Sequence, residues 1–429
     1  MNKISPLKNV IYLFGGRGFA SLFGFLATIY CAQKVGVTNF GWLSFALSLV
    51  SYALILTDFG LLTLGVRKLT QSPTEEKFPS HLLSLRLFLA TLFFLFLLLL
   101  THLLNKPLPV KKLTLVYSLF LFINSFSLEW FFQAKERMNY VGINRILISS
   151  GYLFLLLLLV KKEPDYQKVP VAFLFSQAIG TLFLLLSYKR EGKPLSLTFN
   201  LPTFKNLFLT ALPLGITNIL QILYTYFGII LLGFIGQPEE LGIYSAMHRI
   251  LFSTLVIDFV ASFLFLPIIS SFYQTQFNKL PKLFTILNRL LLFFTLLVVL
   301  IVLIFAPSLI GFFLGRNYLP GTNILRILIF FLPFTTLSTL YATGLIAGKR
   351  EKKLLFNTLV GTLTNIALSP LFYFQLNGLG IALAFVLGEF VILTLNLISV
   401  RKEIKFSLRK GLIPIITNQE IKFLTQREL

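Results

Sequence analysis

The chain has 429 residues, 56% of them hydrophobic and 13% charged, with a mean hydropathy of +0.83 and a formal net charge of +22. Soluble domains carry about 25% charged residues, so this composition excludes a water-soluble globular protein. The basic excess lies in short loops between apolar runs, which marks membrane orientation rather than a nucleic-acid surface.

The runs are about 20 residues long, the length of a spanning α-helix. A transmembrane β-barrel would instead show alternating segments of about 10 residues. In chain order the expected helices cover 7–32, 40–66, 81–104, 113–133, 141–160, 169–188, 208–235, 241–272, 283–305, 323–347, 354–374 and 378–400. The fold class is therefore an all-α polytopic membrane protein with twelve transmembrane helices. The first helix is read as retained rather than as a signal peptide, since it is long and lacks a small-residue cleavage site. Residues 306–323, "APSLIGFFLGRNYLPGTN", are expected to form a short interfacial helix followed by a loop. With the N-terminus inside, the cytoplasmic segments hold 26 Lys and Arg and the outer segments 9. This bias places both termini in the cytoplasm.

Two halves of the sequence echo each other. "FGWLSFALSLVSYALILTDFG" from Phe40 matches "LGIYSAMHRILFSTLVIDFVA" from Leu241, aligning Gly41 with Gly242, Ser44 with Ser245 and Asp58 with Asp258. "LKN" at Leu7 matches "FKN" at Phe204, and "AKER" at Ala134 resembles "GKRE" at Gly348. The order of these matches predicts a six-plus-six repeat. The expected domains are an N-terminal six-helix lobe at 1–190, a cytoplasmic linker at 191–206, a C-terminal six-helix lobe at 207–400 and a basic cytoplasmic tail at 401–429. An even number of helices per half implies a pseudo-two-fold axis along the membrane normal, with a site near the midplane between the halves.

The stretch "VGVTNFGWLSFALSLVSYALILTDFGLLTLGVRKLTQ" resembles the second-helix signature of Wzx-type polysaccharide-export flippases. These belong to the multidrug/oligosaccharidyl-lipid/polysaccharide (MOP) exporter superfamily. Further similarity lies in "FLPIIS", "LGRNYLPGTNILRIL" and "AGKREKKLLFNTLVGTLTNIALSPLF", so it covers essentially the whole chain. The resemblance implies a two-lobed transporter that moves undecaprenyl-pyrophosphate-linked oligosaccharide from the cytoplasmic to the outer leaflet of a bacterial inner membrane. It also implies polysaccharide polymerases of the same pathway as candidate partners. The chain is similar as well to lipid II flippases, which typically carry two further helices, not seen here. Arginines in their first and eighth helices line the cavity and meet pyrophosphate; Arg17 and Arg249 occupy those two helices here.

Ionisable groups at membrane depth usually face a bundle interior or a wet cavity. Arg17 lies 9 residues beyond Lys8, about 13 Å of helix rise, too deep for full snorkelling. It either binds pyrophosphate through its planar donors, pairs with Asp58 at similar depth, or snorkels partway. Arg249, with His248 beside it, is either a cavity cation or packs against helix ends or headgroups. Asp258 has a structural or a coupling role. Glu389, near the middle of the last helix, either couples transport to protons or sodium or stays a neutral, hydrogen-bonded acid. Arg86 and Glu129 are expected to form an ion pair between the third and fourth helices. Asn218, Gln221, Tyr224 and Tyr226 are read either as a sugar path or as interhelical hydrogen-bonding groups.

No P-loop, metal-spaced His/Cys set or nucleophile elbow occurs, and the single cysteine, Cys31, excludes an intrachain disulfide. No cofactor or metal is expected, and the chain is not read as an enzyme. The leading reading is a lipid-linked oligosaccharide flippase working by alternating access, driven by an ion gradient because no nucleotide site is evident. One rival is a cation-coupled multidrug exporter of the same superfamily. Such a protein would favour an acidic, aromatic cavity, against which the two intramembrane arginines count. The other rival is a membrane-embedded polysaccharide polymerase or ligase, disfavoured by the absence of a large outer loop.

Overall fold

A computed structural model describes residues 6–71, 77–191 and 195–407. Its regular elements are all helical, and no strand occurs among the described residues. Most of the expected basic tail and part of the expected linker lie outside the described residues. The chain forms two compact units, Met1–Ser245 and Ala246–Leu429.

The first unit contains α1 (Pro6–Asp58), α2 (Leu61–Gln71), α3 (Phe78–Leu103), α4 (Leu108–Ser118), α5 (Phe120–Ser125) and α6 (Glu129–Ala134). It continues with α7 (Met138–Leu159), α8 (Val169–Lys189), α9 (Leu201–Ile235) and the start of α10 (Pro238–Thr254). The second unit holds the rest of α10, α11 (Val256–Thr275), α12 (Leu280–Phe313), α13 (Thr322–Leu328), α14 (Phe331–Ala347), α15 (Glu351–Leu376) and α16 (Gly378–Arg401). The boundary between the units falls inside α10. The reason lies in packing: α9 lies against α1, α2 and α3 of the first unit.

At 53 residues, α1 is far too long for one crossing, since a bilayer core takes about 20. It is two helices joined at Gly36, whose φ of 76° and ψ of 165° are non-helical and belong to a region essentially reserved for glycine. The connection between α7 and α8 clasps this corner from both sides. Tyr30 Oη donates to the Val160 carbonyl at 2.7 Å, and Asn39 Nδ2 donates to Glu163 Oε1 at 3.2 Å.

Ten stretches among the described residues are long and apolar enough to cross a membrane. Counting the corner at Gly36 and the broken pair α10–α11, the twelve expected segments all have helical counterparts. Outward faces carry Leu92, Leu95, Phe96 and Leu99 on α3 and Leu297, Leu300, Ile301 and Ile304 on α12, all exposed. Water would penalise such surfaces, whereas lipid tails match them.

Residues 306–323 depart from expectation. Instead of a separate interfacial helix, α12 continues through Pro307 to Phe313, and a 3-10 turn over Arg316–Gly321 follows. Proline offers no N–H to the carbonyl four residues back. That carbonyl, of Leu303, accepts from Arg326 Nε at 3.2 Å instead, so the helix survives its proline.

Each unit has its own core. In the first, Leu61, Leu64, Leu82, Trp130, Phe131 and Tyr188 pack α2, α3, α6 and α8 together. In the second, Ile269, Phe284, Leu287, Leu340, Tyr341 and Val400 join α11, α12, α14 and α16.

Candidate functional site

The second and eighth transmembrane segments are both discontinuous. Phe59 (φ 39°) and Gly60 (φ 76°) separate α1 from α2, and Leu255 separates α10 from α11. In each case the repeat-related aspartate sits at the break. Asp58 ends α1 and accepts the Leu62 N–H at 3.3 Å, while Asp258 lies in the first turn of α11. A helix N-terminus presents unsatisfied N–H groups and a positive dipole end, so a carboxylate is stabilised at both positions. Interrupted helices at corresponding places in two halves are the usual pointer to a transporter's binding region.

Asp58 has an ion-pair partner, Arg86 of α3, with Nε 3.8 Å from Oδ1. This corrects two expectations, the Asp58–Arg17 pair and the Arg86–Glu129 pair. Arg86 is 1% exposed, and its guanidinium also donates to the Asn124, Ser125 and Ser127 carbonyls and to Asn124 Oδ1 at 2.7–3.2 Å. These carbonyls belong to the interruption between α5 and α6, where the expected fourth helix breaks. Backbone groups freed inside a membrane need internal partners, and Arg86 supplies them across the bundle. Glu129 instead accepts from Arg145 of α7 at 2.6 and 3.1 Å.

Arg17 sits on α1, exposed, beside buried Gly16. Gly16 meets Gly142 of α7 so closely that an added Cβ would lie 2.5 Å from its Cα. That contact fixes the rotation of α1 and turns residue 17 away from α7 by about 100°. Along α9, Asn218 is half-buried, Gln221 exposed and Tyr224 buried.

In the second unit, His248 is buried, its ring 4.5 Å from that of Phe252 and 5.6 Å from that of Phe385. Phe331 stacks on Phe385 at 4.6 Å. Glu389 is buried one helical turn beyond Phe385 on the same face of α16, so the histidine and the glutamate share one aromatic-lined face. Arg249 is half-buried on α10. Of the nine expected residues, Arg17, Asp58, Asn218, Gln221 and Tyr224 belong to the first unit and His248, Arg249, Asp258 and Glu389 to the second.

Sequence reasoning also missed an interhelical polar network. Asn357 of α15 donates to Asn396 Oδ1 of α16 at 2.8 Å, Asn396 donates to Ser338 Oγ of α14 at 3.0 Å, and Tyr341 Oη donates to Asn288 Oδ1 of α12 at 3.0 Å. The signal available was a set of Asn residues inside apolar runs, which demand partners in lipid.

Residues 6–273 match the family model described as "Polysaccharide biosynthesis protein". A protein of Escherichia coli (strain K12) named as an O-antigen transporter is 23% identical over 253 residues. That match covers 58% of this chain and 61% of the relative, so it spans about three fifths of the relative's length. Among solved structures, the lipid II flippase MurJ in an inward closed conformation has a TM-score of 0.76 at 16% identity, covering 96% of this chain and 95% of that one. An inward-facing multidrug resistance MATE family transporter of the MOP superfamily has a TM-score of 0.72 at 15% identity, covering 90% and 94%. A MOP superfamily transporter from Pyrococcus furiosus has a TM-score of 0.60 at 16% identity, covering 92% and 94%. At these identities the structural likeness establishes the fold alone. With the family model spanning well over half of its length, this multi-pass membrane protein belongs to the polysaccharide biosynthesis protein family.

Proposed function

We propose that the chain is a flippase for polyprenyl-pyrophosphate-linked oligosaccharide, moving it from the cytoplasmic to the outer leaflet of a bacterial cytoplasmic membrane by alternating access. Both termini lie in the cytoplasm, as the loop charges direct. The observation that carries the substrate class is the sign of the accessible intramembrane charge in the first unit. Asp58 pairs with Arg86, with side-chain exposures of 13% and 1%, and Arg17 lies exposed in an apolar stretch of α1. A guanidinium there suits a pyrophosphate, which it can engage through paired donors.

Arg249 is assigned the matching cationic role in the second unit, with His248 beside it. Asp258 and Glu389 are assigned to ion coupling, and Asn218, Gln221 and Tyr224 to the glycan path. The chain acts as a transporter and catalyses no covalent step. A proton or sodium ion is the coupling species, and polysaccharide polymerases of the pathway are partners. The likeness to multidrug transporters keeps organic-cation export as the second reading. It would need an accessible acid where the first unit exposes Arg17.

The test is flipping of a fluorescent prenyl-pyrophosphate oligosaccharide in proteoliposomes. Protein-dependent flipping that disappears in a folded Arg17→Ala variant supports the reading. Organic-cation transport without flipping overturns it.

A further inference from the structure

The geometry points to a second anion site, away from the residues assigned above: we propose that the crevice between α2 and α9 binds the phosphate headgroup of a membrane lipid. The crevice has a volume of about 340 Å³, within the range of about 300–1,000 Å³ typical of small-ligand sites. Leu64, Arg67, Lys68 and Gln71 line it from α2, and Thr210, Pro213 and Leu214 from α9.

On α2 these positions are i, i+3, i+4 and i+7, one continuous helical face. The crevice lies beside a tight crossing. A Cβ on Gly60 would sit 2.7 Å from the Gly215 nitrogen, and Phe59 stacks on Phe208 at 4.5 Å. The break at Phe59–Gly60 sets the direction of α2 where it meets α9. Pro213 lines the wall with a residue that has no N–H.

The lining is graded along the two helices. Arg67, Lys68 and Gln71 fall at the end of α2, and Thr210 lies nearer the start of α9 than Pro213 and Leu214. Both polar ends face the side that loop charge assigns to the cytoplasm, and the apolar wall of Leu64, Pro213 and Leu214 runs deeper. The Lys68 ammonium is held 4.9 Å from the centre of the Phe78 ring, while Arg67, Gln71 and Thr210 are exposed. Two cations, an amide and a hydroxyl over an apolar wall match a phosphate joined to a hydrocarbon chain. Basic crevices between helices at the cytoplasmic face recognise anionic headgroups in this way.

The inference requires a membrane but not transport, so its failure is separable from that of the flippase reading. The full-length protein in phosphatidylcholine nanodiscs would be titrated with undecaprenyl pyrophosphate, phosphatidylglycerol and soluble inorganic pyrophosphate, and binding measured directly. Arg67→Gln/Lys68→Gln removes the charge, and Thr210→Trp fills the crevice without changing charge. Lys352→Gln/Lys353→Gln, at the start of α15 where Lys352 is exposed and Lys353 half-buried, controls for total charge.

The expected result is a rise in apparent Kd of at least about tenfold in both crevice variants and none in the control. Preference for the prenyl lipid identifies a loading site for substrate, and equal binding of phosphatidylglycerol identifies an ordinary phospholipid site; either supports the proposal. Equal loss in the α15 control, unchanged binding in both crevice variants, or binding of inorganic pyrophosphate as tight as that of the lipids overturns it.

Discussion

Arginine at membrane depth does two different jobs in this chain, and substitutions separate them. Arg86 satisfies three carbonyls and a carboxylate. Arg86→Ala strands Asp58 and the interrupted α5–α6 backbone, so a cost of about 3–5 kcal/mol is expected, read as lost thermal stability in detergent. Asp58→Asn should cost less, because the amide oxygen still accepts from Leu62 and Arg86 keeps its carbonyls. Equal losses would mean that the ion pair, not the carbonyl bonds, supplies the stability. Arg17, exposed on α1, is tested by transport instead: flipping in proteoliposomes should be abolished in an Arg17→Ala variant that still inserts and accumulates. Arg17→Lys should rescue flipping only in part if both guanidinium edges engage phosphate. That Arg17, Arg86 and Asp58 place charge inside apolar runs was legible in the sequence. Who pairs with whom was not, because pairing depends on helix rotation and on a backbone break that no charge pattern reveals.

At the scale of elements, the corners and breaks carry the energetics. Gly36 adopts φ 76° and ψ 165°, and a Cβ there would approach Glu163 Oε1 to 2.8 Å. Gly36→Ala is expected to destabilise by about 1–3 kcal/mol from backbone strain, seen as a lower Tm. The bond from Arg326 to Leu303 predicts coupling between distant positions. Pro307→Ala restores a helical N–H to the Leu303 carbonyl, so Arg326→Ala should cost about 1 kcal/mol less in the Pro307→Ala background than alone. Additive effects in that double-mutant cycle would show that Arg326 acts elsewhere. Here the sequence reading stopped α12 too early, treating proline as a terminator when a side chain nineteen residues further on supplies the lost bond.

For the whole molecule, the loop charges make a topological prediction. A fluorescent-protein fusion after residue 407 should mature in the cytoplasm, and a periplasm-dependent phosphatase fused at the same point should stay inactive; the reverse pattern would invert the reading. Length and polarity of the apolar runs determined by themselves that this is a helical membrane protein with about twelve spanning segments. In lipid a backbone must bond within its own helix, so hydropathy is enough to find the spans. The internal echo likewise marked Asp58 and Asp258 as counterparts. The tertiary structure decided the rest: the breaks beside both aspartates, the choice of Arg86 as the partner of Asp58, the arginine that covers for Pro307, and the crevice between α2 and α9. Each depends on which helix faces which at what rotation. Side-chain packing across the bundle sets that rotation, and hydropathy, which treats every face of a spanning helix alike, does not encode it.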